Sequence, residues 1–146
     1  MTPLPSPNVL LTERTARDLA QWDRVRQTFH DDATVRVSWF QGSGVEFVDA
    51  SRTMHDAGSR SFHEIGAPHV EVRGDRALAH AGVAVHVRAQ LDGVEVDVTT
   101  YGRLYWRVRR AGGRWRIATL EMIYIKDTLA PVDPTSRIPR TAWLPL

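Results

Sequence analysis

The chain of 146 residues contains no cysteine, and lysine occurs once, at Lys126. Without thiols there are no disulfides, no thiolate zinc sites and no cysteine nucleophile. No apolar run approaches the ~18 residues that a membrane helix needs, and the N-terminus lacks the charged-then-apolar pattern of a signal segment. The expectation is a chain that stays in the cytoplasm and has no membrane partner. Also missing are a Gly-x-Gly-x-x-Gly stretch, a phosphate loop, a Gly-x-Ser-x-Gly elbow and a helical His-x-x-x-His pair. His80 and His86 share a strand face, but six residues at ~3.3 Å each hold them about 20 Å apart, too far for one ion. His63 and His69 have the same spacing. Neither a metal nor an organic cofactor is expected. The basic side is almost all arginine and the formal net charge is only +2, so no strong field for nucleic acid arises. Arg107, Arg109, Arg110, Arg114 and Arg116, beside Trp115, read as a solvated hairpin end.

What is present suits one globular domain: 42% hydrophobic and 25% charged residues, in a length able to bury a substantial core. Three prolines in the first eight residues mark an N-terminal arm over residues 1–11. Thr12 to His30 then scans as an amphipathic helix with a carboxylate on its apolar stripe. At 100° per residue, Leu11, Trp22, Val25 and Phe29 fall within about 40° of Asp18. An inward carboxylate must be paired, hydrogen-bonded or protonated, unless it merely benefits from the dipole of the helix's first turns. The stretch Ala33 to Phe40 alternates as a strand, Gln41 to Gly44 reads as a turn, and Val45 to about Gly58 as a second helix.

From Ser61 the sequence reads as a β-meander: Ser61 to Ile65, His69 to Arg73, Ala77 to Leu91, Val94 to Arg110 and Trp115 to Lys126, joined by Gly-containing turns. Residues 12–127 form the domain and residues 128–146, rich in proline, an extended tail whose Trp143 and Leu144 suggest docking. Helices followed by a long antiparallel sheet mean an α+β fold. Odd positions from Ala77 to Leu91 are all apolar, while even positions carry His80, Gly82, Ala84 and His86. The expectation is helices over the mixed face and a second copy of the sheet over the apolar one, hence a homodimer. Small residues beside His86, Tyr101, Arg103 and Tyr105 leave room for a small-molecule pocket on the helix side. A histidine oriented by a carboxylate abstracts protons near neutral pH, and Asp18–His63 is the candidate dyad.

The order of "DLAQWDRVRQTFHDDATV", "FHEIGAPHVEVRGDRALAHAGVAVHVR" and "GRLYWRVRRAGGRWRIATLEM" resembles the SnoaL-like branch of the nuclear transport factor 2-like superfamily, closest to the scytalone dehydratase-like proteins. The resemblance implies a cone-shaped, curved antiparallel sheet packed on N-terminal helices, enclosing a pocket and often dimeric through its sheets. It implies a catalytic set of Asp18, four residues before Trp22, His63 in HEIG and His86 on the long strand. The dehydratase's water-holding tyrosines fall on Arg17 and Trp39, and its pocket serine near Tyr101. The function so implied is a cofactor-independent lyase or isomerase acting on a small cyclic or aromatic molecule, by dehydration first and polyketide-type cyclisation second. His63 would be the base, with His86 and Tyr101 or Arg103 polarising the oxygen; Trp22, Trp39 and Tyr105 would complete the pocket. The other class is a non-catalytic binding or scaffold protein, like the small subunit of ring-hydroxylating dioxygenases.

Overall fold

The computed structural model describes residues 7–138; the tail positions Trp143 and Leu144 lie outside them. Helix α1 (Pro7–Asp18) is followed by α2 (Trp22–Gln27), strands β1 (Phe29–Val37) and β2 (Phe40–Ser43), helix α3 (Gly44–Asp56), and strands β3 (Ser61–Ile65), β4 (His69–Arg73), β5 (Arg76–Leu91), β6 (Val94–Ala111) and β7 (Arg114–Pro131). None of these helices is long and apolar enough to cross a membrane.

The expected single helix is two, and the first starts inside the expected arm. Pro7 stands at the first helical position, where a missing N–H costs nothing. The helix ends after Asp18 because Ala20 adopts a left-handed conformation with φ 58. The Gln21 N–H then reaches back to the Ala16 carbonyl at 2.8 Å and the Ala20 N–H to Arg17 at 3.2 Å, the pair of bonds that closes a helix C-terminus. Asp18 therefore sits in the last turn, where the dipole disfavours an acid. The dipole explanation for its inward position is thereby removed, and something else must hold the carboxylate. Helix α3 begins at a full capping box: Glu46 N–H donates to Ser43 Oγ at 3.1 Å and Ser43 N–H to Glu46 Oε1 at 3.3 Å. This moves Gln41 to Ser43 from the expected turn into a strand that pairs with β1.

The sheet runs β2-β1-β7-β6-β5-β3, with β4 also paired to β5. It is mixed rather than wholly antiparallel, because β1 lies parallel to β7, Val35 opposite Leu120. That pairing joins residues far apart in sequence and leaves no local trace. Two register shifts between β6 and β7, at Tyr101/Gly102 and Arg107/Val108, are the bulges that bend the long strands into a curved shell. At the first bend the backbones approach closely. A Cβ on Gly102 would stand 2.6 Å from Met122 Cε and 2.7 Å from the Ile123 carbonyl.

The parity of the long strands is as expected, but the faces are exchanged. Ala77, Ala79, Ala81 and Val83 form one buried cluster with Leu10, Ala16, Val25 and Phe47 of the helices. The apolar odd face of β5 therefore lies under the helices, not against a second copy. Cross-strand pairing supplies the reason. Ala79 stands opposite Trp106 and Ala81 opposite Leu104, so the alanines make room for large β6 side chains that the helices then cover. The mixed even face turns outward, leaving Leu78 54% and Ile123 55% exposed.

Candidate active site

Asp18, at the end of α1, is anchored by a single residue of β3. The backbone N–H of His63 donates to Asp18 Oδ2 at 2.8 Å, and His63 Nδ1 lies 2.6 Å from Oδ1. Both carboxylate oxygens are thus committed to His63, which answers why an acid survives on the inner side of the helix. The His63 side chain is 3% exposed. Its strand is placed by pairing with β5, His63 opposite Val85, and this register puts the imidazole on the core side.

The other ring nitrogen faces two cations. Arg14 Nη1 and Arg17 Nη1 each lie 3.5 Å from His63 Nε2. A guanidinium can only donate, so Nε2 is the acceptor and Nδ1 carries the proton given to Asp18. Burial pushes the His63 pKa down; its hydrogen bond to Asp18 works against this, and the charges of Arg14 and Arg17 add to the depression, leaving it at about 4. The ring is therefore a neutral, oriented base at ordinary pH, with its lone pair free of a proton. Arg17 is itself lowered to about 10, first by burial and then by Arg14, with Glu13 and Asp18 opposing.

Positions 14, 17 and 18 share one side of α1, as spacings of three and four dictate. Arg17 is fixed further by Nε donating to Ser51 Oγ of α3 at 3.2 Å, and by lying over Phe47 at 4.7 Å and Trp39 at 5.6 Å from the ring centres. Beyond Nε2 opens a cleft of about 190 Å³, in which His63, Arg14 and Arg17 meet Trp39, Met54, Val85, Thr100 and Met122.

The expected site residues separate into two groups. Asp18, His63 and Trp39 come together. His86 does not: it is paired to Phe62 across β3 and β5, one residue out of step with His63, and successive strand residues face opposite ways. It lies on the outer face with Glu64 and Thr99. Tyr101, Arg103 and Tyr105 are outside with it. Lys126 sits over the Tyr101 ring at 5.3 Å, Arg103 donates to His80 Nδ1 at 2.9 Å, and Tyr105 lies beside the His80 ring. Trp22 packs edge-on against His55, 5.6 Å away, behind the cleft rather than in it. Arg14 as a site residue was missed, although it falls one helical turn before Asp18 and so as near in phase as Trp22. In the sequence, Arg17 stands out only as the place of one of the dehydratase's tyrosines.

A SnoaL-like domain model matches residues 11–121. The chain belongs to the SnoaL-like family. Among curated relatives, it is 28% identical over 124 residues to a PEP2-like protein of Fusarium vanettenii, covering 81% of this chain and 52% of the relative. It is 29% identical over 132 residues to an uncharacterised protein of Emericella nidulans, covering 85% and 55%. The chain spans about half the length of these relatives. Solved structures of low sequence identity share the fold over most of the chain. A candidate scytalone dehydratase of Novosphingobium aromaticivorans superposes with a TM-score of 0.70 at 15% identity, over 90% of this chain and 91% of that one. The type-3 hexachlorocyclohexane dehydrochlorinase of Novosphingobium barchaimii gives 0.72 at 15%, over 90% of each chain.

Proposed function

We propose that this SnoaL-like protein is a cofactor-independent lyase or isomerase in which His63, oriented by Asp18, removes a proton from carbon in a small cyclic or aromatic molecule. The observation that carries the reading is the 2.6 Å contact of Asp18 with His63 Nδ1, which leaves Nε2 as an unprotonated base at the wall of the cleft. Asp18 holds the ring in one tautomer and stabilises the imidazolium that forms. Arg14 and Arg17 stand beside Nε2, where the negative charge left by the departing proton accumulates, and take the oxygen-polarising part first assigned to His86, Tyr101 and Arg103.

Dehydration is the first reaction we assign. The C–H bond breaks, its electron pair forms the new double bond, and the C–O bond to a neighbouring hydroxyl breaks as the imidazolium returns its proton to the leaving oxygen, releasing water. Ring closure, in which the carbanion attacks a carbonyl, is the second. One histidine can serve as base and then acid, so the loss of His86 from the site does not remove a necessary group. The neighbours named for scytalone dehydratase and for dehydrochlorination support an elimination, as proteins of like fold.

The test is a panel of cyclic hydroxy-ketones in D₂O, read by NMR for deuterium uptake and for product. Conversion by the wild type and its loss in His63→Ala and Asp18→Asn support the reading; wild-type rates in both variants overturn it.

We also infer a homodimer through the outer face, where Leu78, Tyr101, Tyr105 and Ile123 remain exposed among arginines, the aromatic-and-arginine composition of interface cores. Light scattering of wild type and Tyr105→Glu checks it: a dimer mass that falls on substitution is expected, and a wild-type monomer contradicts it.

A further inference from the structure

The two arginines stand in a cleft walled otherwise by apolar residues such as Trp39, Met54, Val85 and Met122, with Ser59 and Thr100 among its polar members. Holding two guanidiniums around one acceptor nitrogen is costly at low dielectric. The acids nearby settle only part of that cost. Asp18 spends both oxygens on His63. Glu13, fully buried, lies 2.7 Å from Arg14 Nε and offsets part of the Arg14 charge from that edge. Arg14 is 3% exposed, yet its Nη2 is buried without a hydrogen-bond partner among the described residues. A buried donor on a cation left unpaired is a site awaiting an acceptor. Arg17 meanwhile is locked in plane by Ser51, Phe47 and Trp39, so the pair is preorganised and loses little entropy when it binds.

We propose that the cleft takes a small carboxylic acid, its carboxylate seated between the Arg14 and Arg17 guanidiniums and an adjacent C–H presented to His63 Nε2. This names the substrate class of the proton-abstraction site and rests on that reading. A carboxylate matches the guanidinium fork, which prefers planar two-oxygen acceptors. The apolar part of the wall suits a compact hydrocarbon body, the serines and Thr100 leave room for a hydroxyl on it, and about 190 Å³ is room for a small molecule only. The geometry also couples binding to chemistry. Nη1 of each arginine lies 3.5 Å from Nε2, so an anion seated there offsets the two charges that weaken the base. Charge released on loss of the proton delocalises toward the held carboxylate and stays within reach of both cations.

The test is titration calorimetry with benzoate and cyclohexanecarboxylate against benzamide and cyclohexanecarboxamide, on wild type, Arg14→Gln, Arg17→Gln and His63→Gln, each first shown to be folded by circular dichroism. The acids are expected to bind the wild type at least about tenfold tighter than their amides, about 1.4 kcal/mol. That preference should vanish in either arginine variant and survive in His63→Gln. A second readout is the nitrogen NMR titration of His63, whose midpoint should rise when benzoate is added. Equal binding of acids and amides, no saturable binding of either acid, or an unchanged preference in both arginine variants overturns the proposal. Failure of the base reading looks different: the acid preference would stand while deuterium uptake proved independent of His63.

Discussion

Residues 63 and 64 are neighbours, and each makes a carboxylate–imidazole pair, yet the two pairs lie on opposite faces of the sheet. Inside, His63 meets Asp18 with its side chain 3% exposed. Outside, Glu64 meets His86, which is 37% exposed. The pairing chemistry is the same and the surroundings differ. Water screens the outer pair, and such surface pairs contribute little. The inner pair is largely shielded from water, fixed by a second bond from the His63 backbone, and confronted by buried Arg14 and half-buried Arg17. Catalytic potential follows from that enclosure rather than from the presence of an acid beside a histidine.

The largest effect should come from breaking the inner pair. Asp18→Asn and His63→Gln are expected to lower turnover of any converted substrate by about a hundredfold or more, as measured by initial rates. The same two changes on the outer pair, Glu64→Gln and His86→Ala, should leave kcat/KM within about threefold of wild type, since losses of solvated surface contacts are small. A collapse of activity in His86→Ala would put the outer face back into the mechanism.

Next in size is a packing comparison between the faces. Gly102→Ala places a methyl against Met122 Cε and the Ile123 carbonyl at the bend and should cost about 1–3 kcal/mol in urea unfolding. Gly82 is on the outer face with nothing within 4 Å of an added Cβ. There Gly82→Ala should be neutral or stabilise by about 0.5 kcal/mol, because alanine loses less entropy in a strand.

A last comparison is stability against pH. The unfolded chain protonates residue 63 near its ordinary value of 6.5, while the folded chain resists until about 4. The stability tied to the neutral buried ring is therefore complete above about 6.5 and is lost as pH falls through about 4. Thermal melts over that window should slope less steeply in His63→Gln than in wild type; equal slopes would show that His63 is not the group being held neutral.

Which of this was legible in the sequence has a physical pattern. Strands β3 to β7 were, because alternation and glycine turns are local signals. Asp18 was, because an acid in the phase of Trp22 and Val25 contradicts its stripe. The break at Ala20 was not: that position is not the glycine or asparagine that announces a left-handed turn. The parallel pairing of β1 with β7 is a contact across the whole chain. The exchange of faces shows a further limit. Alternation says which side chains share a face but not which face the helices choose, and that choice decides where His86 points. Because the helices cover the odd face of β5, His86, and with it Tyr101, Arg103 and Tyr105, lies outside the expected pocket.

The central claim, that His63 is a neutral base held in one tautomer by Asp18, is tested most directly by nitrogen-15 NMR of the histidine rings. The account predicts a His63 ring protonated at Nδ1 alone near neutral pH, remaining so down to about 4, with that tautomer lost in Asp18→Asn. A His63 ring already cationic near neutral pH, or protonated at Nε2, would contradict it.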